Sequence, residues 1–229
     1  MTFDVTRRIV MVGLGMGAAY ALSRQCRKPT GWLGRRLARA MNLGHSRLTG
    51  WGLEHVSIAA RSRILDIGCG GGRTMRRMAE LAADAHVDGV DYAPASVSIA
   101  RETNAELIAA GRAAVHQASV SRLPFADQSF DLVTAVETHY YWPDFPNDLR
   151  EVRRVLKPGG RLLIIAETYK GRRMDWLYWP AMRLVLRAMY LTLDEHRTAL
   201  EAAGFADVDV DKEPSRGWMS AVGVRPPIA

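Results

Sequence analysis

The sequence contains little cysteine. Among its 229 residues only Cys26 and Cys69 occur, and they form neither a disulfide framework nor a motif with metal-ligand spacing. No other group of spaced ligands is apparent, so the sequence predicts no metal site. A fold that depends on disulfides or on a structural metal is excluded, and a reducing compartment is favoured. With 48% apolar residues the chain can bury a hydrophobic core instead.

The sequence also lacks an apolar run long enough to span a membrane. The best candidate, residues 9–22, would extend about 21 Å as a helix, whereas the hydrocarbon core of a bilayer is about 30 Å thick. Three interpretations remain open for this run. It is a helix associated with a membrane surface, a helix packed on the domain, or an export signal that ends at Ala19-Tyr20-Ala21.

The net charge of +7 is concentrated near the beginning of the chain. Residues 1–62 contain ten of the 31 Lys and Arg residues but two of the 24 Asp and Glu residues. A basic segment of this kind favours an anionic partner, such as lipid head groups or nucleic acid. A solvated basic face explains the same composition equally well.

A glycine-rich segment predicts a ligand-binding loop. The residues LDIGCGGG (65–72) join a predicted buried strand over 63–67 to a predicted helix over 73–83. Glycine at such a turn lets a ligand approach the backbone and permits a positive φ. A tight turn without a ligand is the alternative interpretation.

An acidic residue follows this loop at an informative distance. The residues HVDGVD (86–91) predict a second strand that ends at Asp91, 19 residues after Gly72. In nucleotide-binding folds a carboxylate at this place accepts hydrogen bonds from ribose hydroxyls. Alternatively, Asp91 caps the helix predicted over residues 94–110.

The remaining pattern alternates strands and helices. Strands are predicted over 113–117, 130–136, 161–166, 207–210 and 218–224, and helices over 144–156 and 193–203. This alternation predicts an α/β fold with a mostly parallel, doubly wound sheet. Ligands bind such sheets beyond the carboxyl ends of the strands. The predicted crevice therefore contains the glycine loop, Asp91, Ser119 and residues 137–142.

Four segments resemble the class I S-adenosylmethionine-dependent methyltransferases, in particular the ubiquinone/menaquinone-methyltransferase-like (methyltransferase type 11) group. They are LDIGCGGG (65–72), GVDYA (89–93), LPFADQSFDLV (123–133) and EVRRVLKPGGRLLI (151–164). The resemblance implies a Rossmann-like sheet of seven strands whose last strand is antiparallel. It also implies S-adenosyl-L-methionine as cofactor and S-adenosyl-L-homocysteine as product.

The resemblance further implies a set of cofactor contacts. The methionine part would lie against Asp66, Gly68 and Gly70, the ribose against Asp91, and the adenine beside Tyr92. Many relatives have an acidic residue at the position of Ser119, where this chain offers a hydroxyl and the backbone of Ala118-Ser119-Val120. The predicted cofactor-binding residues are therefore Asp66, Gly68, Gly70, Asp91, Tyr92, Ser119, Val120 and Glu137.

Catalysis of methyl transfer depends mainly on aligning and desolvating the acceptor, because the reaction is an in-line displacement. The segment after the fourth strand contains His139, whose ordinary pKa of about 6.5 suits a general base. Tyr141 and its aromatic neighbours offer faces for a flat acceptor or for the sulfonium. His45 is a rival base, and alignment without any base is the third alternative.

These residues predict transfer of a methyl group to O, N or C of a small, hydrophobic or aromatic acceptor. The alternatives are a nucleic-acid methyltransferase and a non-catalytic S-adenosylmethionine-binding protein. The sequence shows no Asn/Asp-Pro-Pro-aromatic tetrad of DNA-methylating enzymes, no paired glutamates of the arginine-methylating kind and no carboxylate cluster of the catechol type. Nucleic acid is therefore not an expected partner.

The domain organisation is predicted as three parts. Residues 1–24 form an apolar and basic segment, 25–62 a helical cap, and 63–229 the methyltransferase domain with a lid-like insertion at about 170–192. Because the cofactor is made in the cytosol, we expect a cytoplasmic protein. Attachment to an anionic membrane surface through the first segment is the additional hypothesis, and the sequence does not determine the oligomeric state.

Overall fold

The computed structural model describes residues 45–172 and 188–227, together with residues 31, 36 and 175. Seven strands lie within these ranges: β1 (Arg63–Ile67), β2 (His86–Asp91), β3 (Ala113–Gln117), β4 (Phe130–Val136), β5 (Leu156–Ala166), β6 (Ala206–Glu213) and β7 (Trp218–Val224). They form one sheet in the order β3-β2-β1-β4-β5-β7-β6. Strand β7 is antiparallel to both of its neighbours, whereas the pairs among β1 to β5 are parallel. The predicted Rossmann-like sheet of seven strands is confirmed.

Six α-helices and a short 3₁₀ helix accompany the sheet in the described ranges. They are α1 (Ser46–Leu53), α2 (Arg73–Leu81), α3 (Pro94–Thr103), α4 (Ala105–Ala109), the 3₁₀ helix η1 (His139–Tyr141), α5 (Phe145–Val155) and α6 (Leu193–Ala202). The helix predicted over 94–110 is divided into α3 and α4 at Asn104. Strand β5 begins earlier than predicted, and its register with β4 shifts between Phe130 and Leu132.

The central strands are buried on both faces. Consecutive side chains of a strand point to opposite faces, and the structure divides them accordingly between two hydrophobic clusters. Leu65, Val133 and Ile164 belong to one cluster, whereas their chain neighbours Ile64 and Leu132 belong to the other. Continuous apolar runs are typical of parallel strands covered by helices on both sides. This doubly covered sheet is the rigid support for the loops at its carboxyl edge.

The turn between β1 and α2 is fixed by packing as well as by backbone conformation. Gly72 is the N-cap of α2 and has a φ of +78°. Its carbonyl accepts a hydrogen bond from Asn104 Nδ2 at 2.9 Å, and the same amide donates to the carbonyl of Ala100 at 2.9 Å. A Cβ at Gly72 would lie 2.4 Å from Asn104 Nδ2 and 2.9 Å from Ala100 Cα. Glycine is therefore required here for the fold itself.

Several predicted segments lie outside the described residues. They are the apolar run 9–22, the cap residues 25–44 apart from 31 and 36, and residues 176–187 of the lid-like insertion. The division into three parts therefore stays a prediction, of which α1 is the described part of the cap. Among the residues that the structure describes, no helix combines the length and apolarity needed to cross a membrane.

We predict that Gly72→Ala lowers the free energy of unfolding by about 2–4 kcal/mol, from left-handed strain of about 1 kcal/mol and overpacking of about 1–3 kcal/mol. Gly111→Ala is the matched control, because Gly111 has a φ of +69° and open space around the Cβ position. Urea denaturation of both variants measures the difference. Equal losses of unfolding free energy in the two variants would show that Asn104 and Ala100 move aside for the added methyl group without destabilising the protein.

Candidate functional site

A cavity of about 320 Å³ lies at the carboxyl ends of β1, β2 and β4. Its volume falls in the range of about 300–1,000 Å³ that is typical of small-molecule sites. Of the residues predicted from the sequence, those that line it are Asp66, Gly68, Gly70, Asp91, Tyr92, Ser119, Val120, Glu137, His45 and Tyr141. Residues that are far apart in the sequence thus meet at the carboxyl ends of the strands, where ligands bind sheets of this kind. His139 is the predicted site residue that does not line the cavity.

The glycine loop forms one wall of the cavity with its backbone. The N–H groups of Gly68 and Cys69 donate to the carbonyl of Val90 at 2.8 and 3.0 Å, which fastens the loop to β2. Gly68 has a φ of +68°, and a Cβ there would lie 2.4 Å from Thr138 Cγ2. Gly70 has a φ of +53°, but a Cβ there would meet no atom closer than the Gly68 carbonyl at 4.0 Å. Gly70 thus leaves cavity space that any side chain would occupy.

Asp91 connects the glycine loop to the turn after β2. Its carboxylate accepts hydrogen bonds from the N–H of Gly70 at 3.0 Å and of Ala93 at 2.8 Å, one on each oxygen. Only 8% of the residue is exposed, and burial raises the pKa of Asp91 although these bonds and one from Ser96 lower it. Each carboxylate oxygen has two lone pairs. Asp91 therefore has acceptor capacity left for a ligand in the cavity.

Asp66 is the second buried carboxylate in the cavity wall. Thr134 Oγ1 donates to it at 2.7 Å from the neighbouring strand β4. Burial raises the pKa of Asp66 to about 7, the hydrogen bond from Thr134 opposes this shift, and the charge of Asp91 adds to it. A cationic group in the cavity would favour the ionised form of both carboxylates.

The expectation that His139 enters the crevice is wrong. His139 begins the 3₁₀ helix η1, is 1% exposed and packs against Tyr140, Phe145 and His196. Burial lowers the pKa of His139 well below its ordinary value of 6.5, and His196 lowers it further. Burial therefore keeps the His139 ring neutral. The three-residue turn directs the side chain into the core and away from the cavity.

His139 and His196 form a buried pair whose tautomers follow from their partners. His196 Nδ1 lies 2.7 Å from the carbonyl of Thr192 and must donate, so its Nε2 is the acceptor when the ring is neutral. The two Nε2 atoms are 3.1 Å apart, so His139 Nε2 is the donor. His139 Nδ1 then carries no proton, and it has no hydrogen-bond partner in the described part of the chain.

A third acidic side chain of the cavity wall lies at the end of β4. Glu137 has a φ of +59°, an unusual conformation for a residue with a side chain. Its Oε1 accepts hydrogen bonds from the N–H of Glu167 at 2.5 Å and from the Tyr140 hydroxyl at 3.3 Å. Burial, and then the charge of Glu167, raise the pKa of Glu137 to about 8.

Glu167 is the candidate site residue that the sequence analysis missed. It directly follows β5, so the rule that selected residues after β4 could also have selected it. The structure brings it next to Glu137, and one ligand atom from each of His45, Glu137 and Glu167 lies within 4.8 Å of the others. The two glutamates are 30 residues apart in the sequence, so spacing along the chain does not reveal this group. The expectation of no metal site stays a prediction.

Comparison with known proteins assigns the family. A family model described as a methyltransferase domain matches residues 65–164. The 27-O-demethylrifamycin SV methyltransferase of Amycolatopsis mediterranei is 36% identical, over 72% of this chain and 62% of its own length. An uncharacterized methyltransferase of Synechocystis, sll0829, is 33% identical, over 72% of this chain and 71% of its own length. The chain belongs to the class I S-adenosylmethionine-dependent methyltransferases. The predicted cofactor of the family is confirmed with it.

A solved structure shows the same fold at greater distance. A chain from the complex between the Haloferax volcanii Trm112 methyltransferase activator and a candidate methyltransferase superposes with a TM-score of 0.76. It is 21% identical, and the match covers 85% of this chain and 96% of that chain. Several curated relatives are longer, since the chain spans between 39% and 62% of their length.

The cavity of this methyltransferase fits the cofactor of its family. Gly70 leaves space where a side chain would stand, and Asp91 keeps free acceptor capacity beside it. S-adenosylmethionine carries a sulfonium and an ammonium group, and Asp66 and Asp91 supply negative charge in the cavity wall. Residues that fit the cofactor are therefore present on the glycine loop, on β1 and at the end of β2.

We predict that Gly70→Val weakens S-adenosylmethionine binding at least tenfold while the protein still folds, because the isopropyl group would fill cavity space. Tenfold corresponds to about 1.4 kcal/mol. Gly111→Val is the control, since it places the same side chain at a positive φ in a turn outside the cavity. Calorimetric titration measures both. Similar S-adenosylmethionine affinities in the two variants would show that the glycine loop does not contact the cofactor.

We predict that the His139–His196 pair makes folding sensitive to acid. Burial lowers the pKa of both side chains in the folded state, so below pH 6.5 the unfolded chain binds more protons. The free energy of unfolding then falls as pH falls, by up to about 1.4 kcal/mol per pH unit for each histidine.

The test compares the wild type with His139→Gln between pH 5 and 7 by urea denaturation. The glutamine amide can still donate to His196, and one titrating group is removed. We expect a flatter pH dependence in the variant below pH 6.5 and equal slopes above it. Equal slopes throughout would show that His139 is not held neutral.

Proposed function

We propose that this methyltransferase transfers a methyl group from S-adenosylmethionine to an oxygen atom of a small, hydrophobic or aromatic acceptor. The observation that carries the proposal is a single cavity that is lined by the glycine loop and Asp91 and also by the aromatic side chains of Tyr141 and Trp142. An oxygen acceptor is supported by the name of the Amycolatopsis relative, a 27-O-demethylrifamycin SV methyltransferase. Nitrogen and carbon acceptors are the alternatives within the same reaction class.

The proposed cofactor position follows from the cavity wall. Asp91 would accept hydrogen bonds from the ribose hydroxyls, Gly68 and Gly70 would contact the methionine part, and Asp66 would pair with its ammonium group. Tyr92, Ser119 and Val120, which also line the cavity, would hold the adenine. When bound, the cofactor supplies an activated methyl group for in-line displacement.

The acceptor is proposed to bind on the side of the cavity formed by Tyr141, Trp142 and His45. Aromatic faces suit a flat acceptor and a sulfonium, with a cation–π contact worth about 0.5–2 kcal/mol. Of the two predicted bases, His45 lines the cavity and His139 does not. We therefore place the reacting hydroxyl beside His45, where holding the acceptor in line with the methyl group would lower the barrier.

The test of this function is a screen with methyl-labelled S-adenosylmethionine against phenols, quinols, lipids and amines, with mass spectrometry of each product. We expect a labelled methyl group on an oxygen of one acceptor class. Product from RNA or DNA that falls steeply with salt would instead show a nucleic-acid methyltransferase. Tight cofactor binding with no product from any acceptor would show a non-catalytic binding protein.

We predict that His45→Ala lowers kcat about 10²–10⁴-fold while cofactor affinity stays within twofold of wild type. The control is His55→Ala, which removes a histidine of the same region that pairs with Asp211 at 3.1 Å and does not line the cavity. Steady-state kinetics on the acceptor found in the screen measures both variants. A kcat above a third of wild type for His45→Ala would show that alignment alone carries the reaction.

We predict that Asp91→Ala weakens cofactor binding by about 1.5–3 kcal/mol, the range for hydrogen bonds to a charged group. Because Asp91 also binds Gly70 and Ala93, the loss has a direct and an indirect part. The two parts are separated with a cofactor analogue that lacks the ribose hydroxyls. Wild type should prefer the cofactor over this analogue, and Asp91→Ala should lose the preference. If Asp91→Ala keeps the preference for the cofactor over the analogue, Asp91 only positions the glycine loop and does not bind the ribose.

A further inference from the structure

Three possible metal ligands converge beside the cavity from separate elements. His45 directly precedes α1, Glu137 follows β4 and Glu167 follows β5. His45 and Glu137 line the cavity, whereas Glu167 does not line it and is exposed. One nitrogen and two carboxylate oxygens, one from each residue, lie within 4.8 Å of one another.

These separations are close to those required around one ion. Nitrogen and oxygen ligands bind Zn²⁺ at about 2.0–2.2 Å, so two of them can be at most about 4.4 Å apart. Ligands at tetrahedral angles around Zn²⁺ are about 3.4 Å apart, so side-chain movements of up to about an ångström would complete the coordination. The donor set combines an imidazole, which suits zinc and similar transition metals, with carboxylates, which suit manganese and magnesium.

The surroundings hold one carboxylate in place. Glu137 accepts both of its hydrogen bonds on Oε1, from the Glu167 N–H at 2.5 Å and from the Tyr140 hydroxyl at 3.3 Å. Such outer contacts are what orient the ligands of metal sites. The backbone of His45 is held in turn, because its carbonyl accepts from Thr49 N at 2.8 Å.

The two carboxylates are not neutralised by basic side chains in the described ranges. Lys170 pairs with Glu195 at 3.6 Å. Arg172 donates to the backbone carbonyl of Glu167 and to Thr168 Oγ1, at 3.2 and 3.4 Å. Two neighbouring carboxylates repel each other, and a divalent cation between them removes that repulsion and also uses the imidazole.

We propose that His45, Glu137 and Glu167 bind a divalent transition-metal cation, for which Mn²⁺ and Zn²⁺ are the probes. Three protein ligands leave coordination positions open, and two of the three ligands line the cavity. A hydroxyl acceptor bound at an open position would lose its proton more readily. This catalytic role rests on the proposed function, and in it the cation replaces His45 as the group that promotes loss of the proton, because the imidazole nitrogen that binds the cation cannot accept it. Binding of the cation does not rest on the proposed function.

The experiment titrates the full-length, metal-stripped protein with Mn²⁺ and follows free Mn²⁺ by electron paramagnetic resonance, with Zn²⁺ as competitor. We expect one saturable site per chain that Zn²⁺ empties. Glu167→Gln should weaken Mn²⁺ binding at least tenfold, a typical loss for a disrupted metal site. Its S-adenosylmethionine affinity should stay within twofold, since Glu167 does not line the cavity. Asp211→Asn, which removes an exposed carboxylate beside His55, is the matched control and should bind Mn²⁺ like wild type.

Absence of a saturable site, or equal Mn²⁺ affinity in Glu167→Gln and Asp211→Asn, would overturn the proposal. His45→Gln is the second variant and should also lose the site. Metal binding without methyl transfer to any acceptor would refute the proposed function alone. Methyl transfer by a protein without a saturable site would refute the metal site alone.

Discussion

The site depends on one buried carboxylate that joins two loops. Asp91 accepts from Gly70 on one side and from Ala93 on the other, and so fixes the end of β1 against the end of β2. Burial of a carboxylate is costly unless hydrogen bonds compensate for it. Here the same bonds that compensate for burial also set the distance between the glycine loop and the turn before α3. This contact and the packing behind Gly72 together hold the glycine loop, in which Gly68, Gly70 and Gly72 have positive φ angles.

The charge of the cavity differs from the charge of the whole chain. The chain is basic, with a net charge of +7 and its excess of basic residues within residues 1–62, whereas Asp66, Asp91 and Glu137 line the cavity. Burial raises the pKa of all three side chains above their ordinary values. A cationic ligand stabilises their ionised forms, and it is attracted more strongly inside the cavity than it would be in water. Local acidity therefore explains how a basic chain can bind a sulfonium cofactor.

Much of the fold could be predicted because its signals are local. Apolar runs mark β1, β4 and β5, and the glycines mark the turn after β1. The direction of a side chain could not be predicted in the loops, where the alternation of side chains along a strand no longer applies. His139 follows β4 as expected, but the short 3₁₀ turn points it into the core against His196, which is 57 residues away in the sequence. Glu167 was missed for a related reason, since its meeting with Glu137 depends on the pairing of β4 with β5 and not on spacing along the chain.

The two halves of the site differ in how they are encoded. The proposed cofactor half uses consecutive elements, from β1 through the glycine loop to the end of β2, so its residues lie within 26 positions of the sequence, from Asp66 to Asp91. The proposed acceptor half combines His45 from before α1 with residues after β4 and β5. A fold neighbour keeps the same sheet at 21% identity, so the fold does not depend on one particular set of loop residues. The cofactor side could be predicted from the sequence because its glycine loop is one tight turn with positive φ angles. The proposed acceptor side has no such local motif, since its residues come together only when the strands pair.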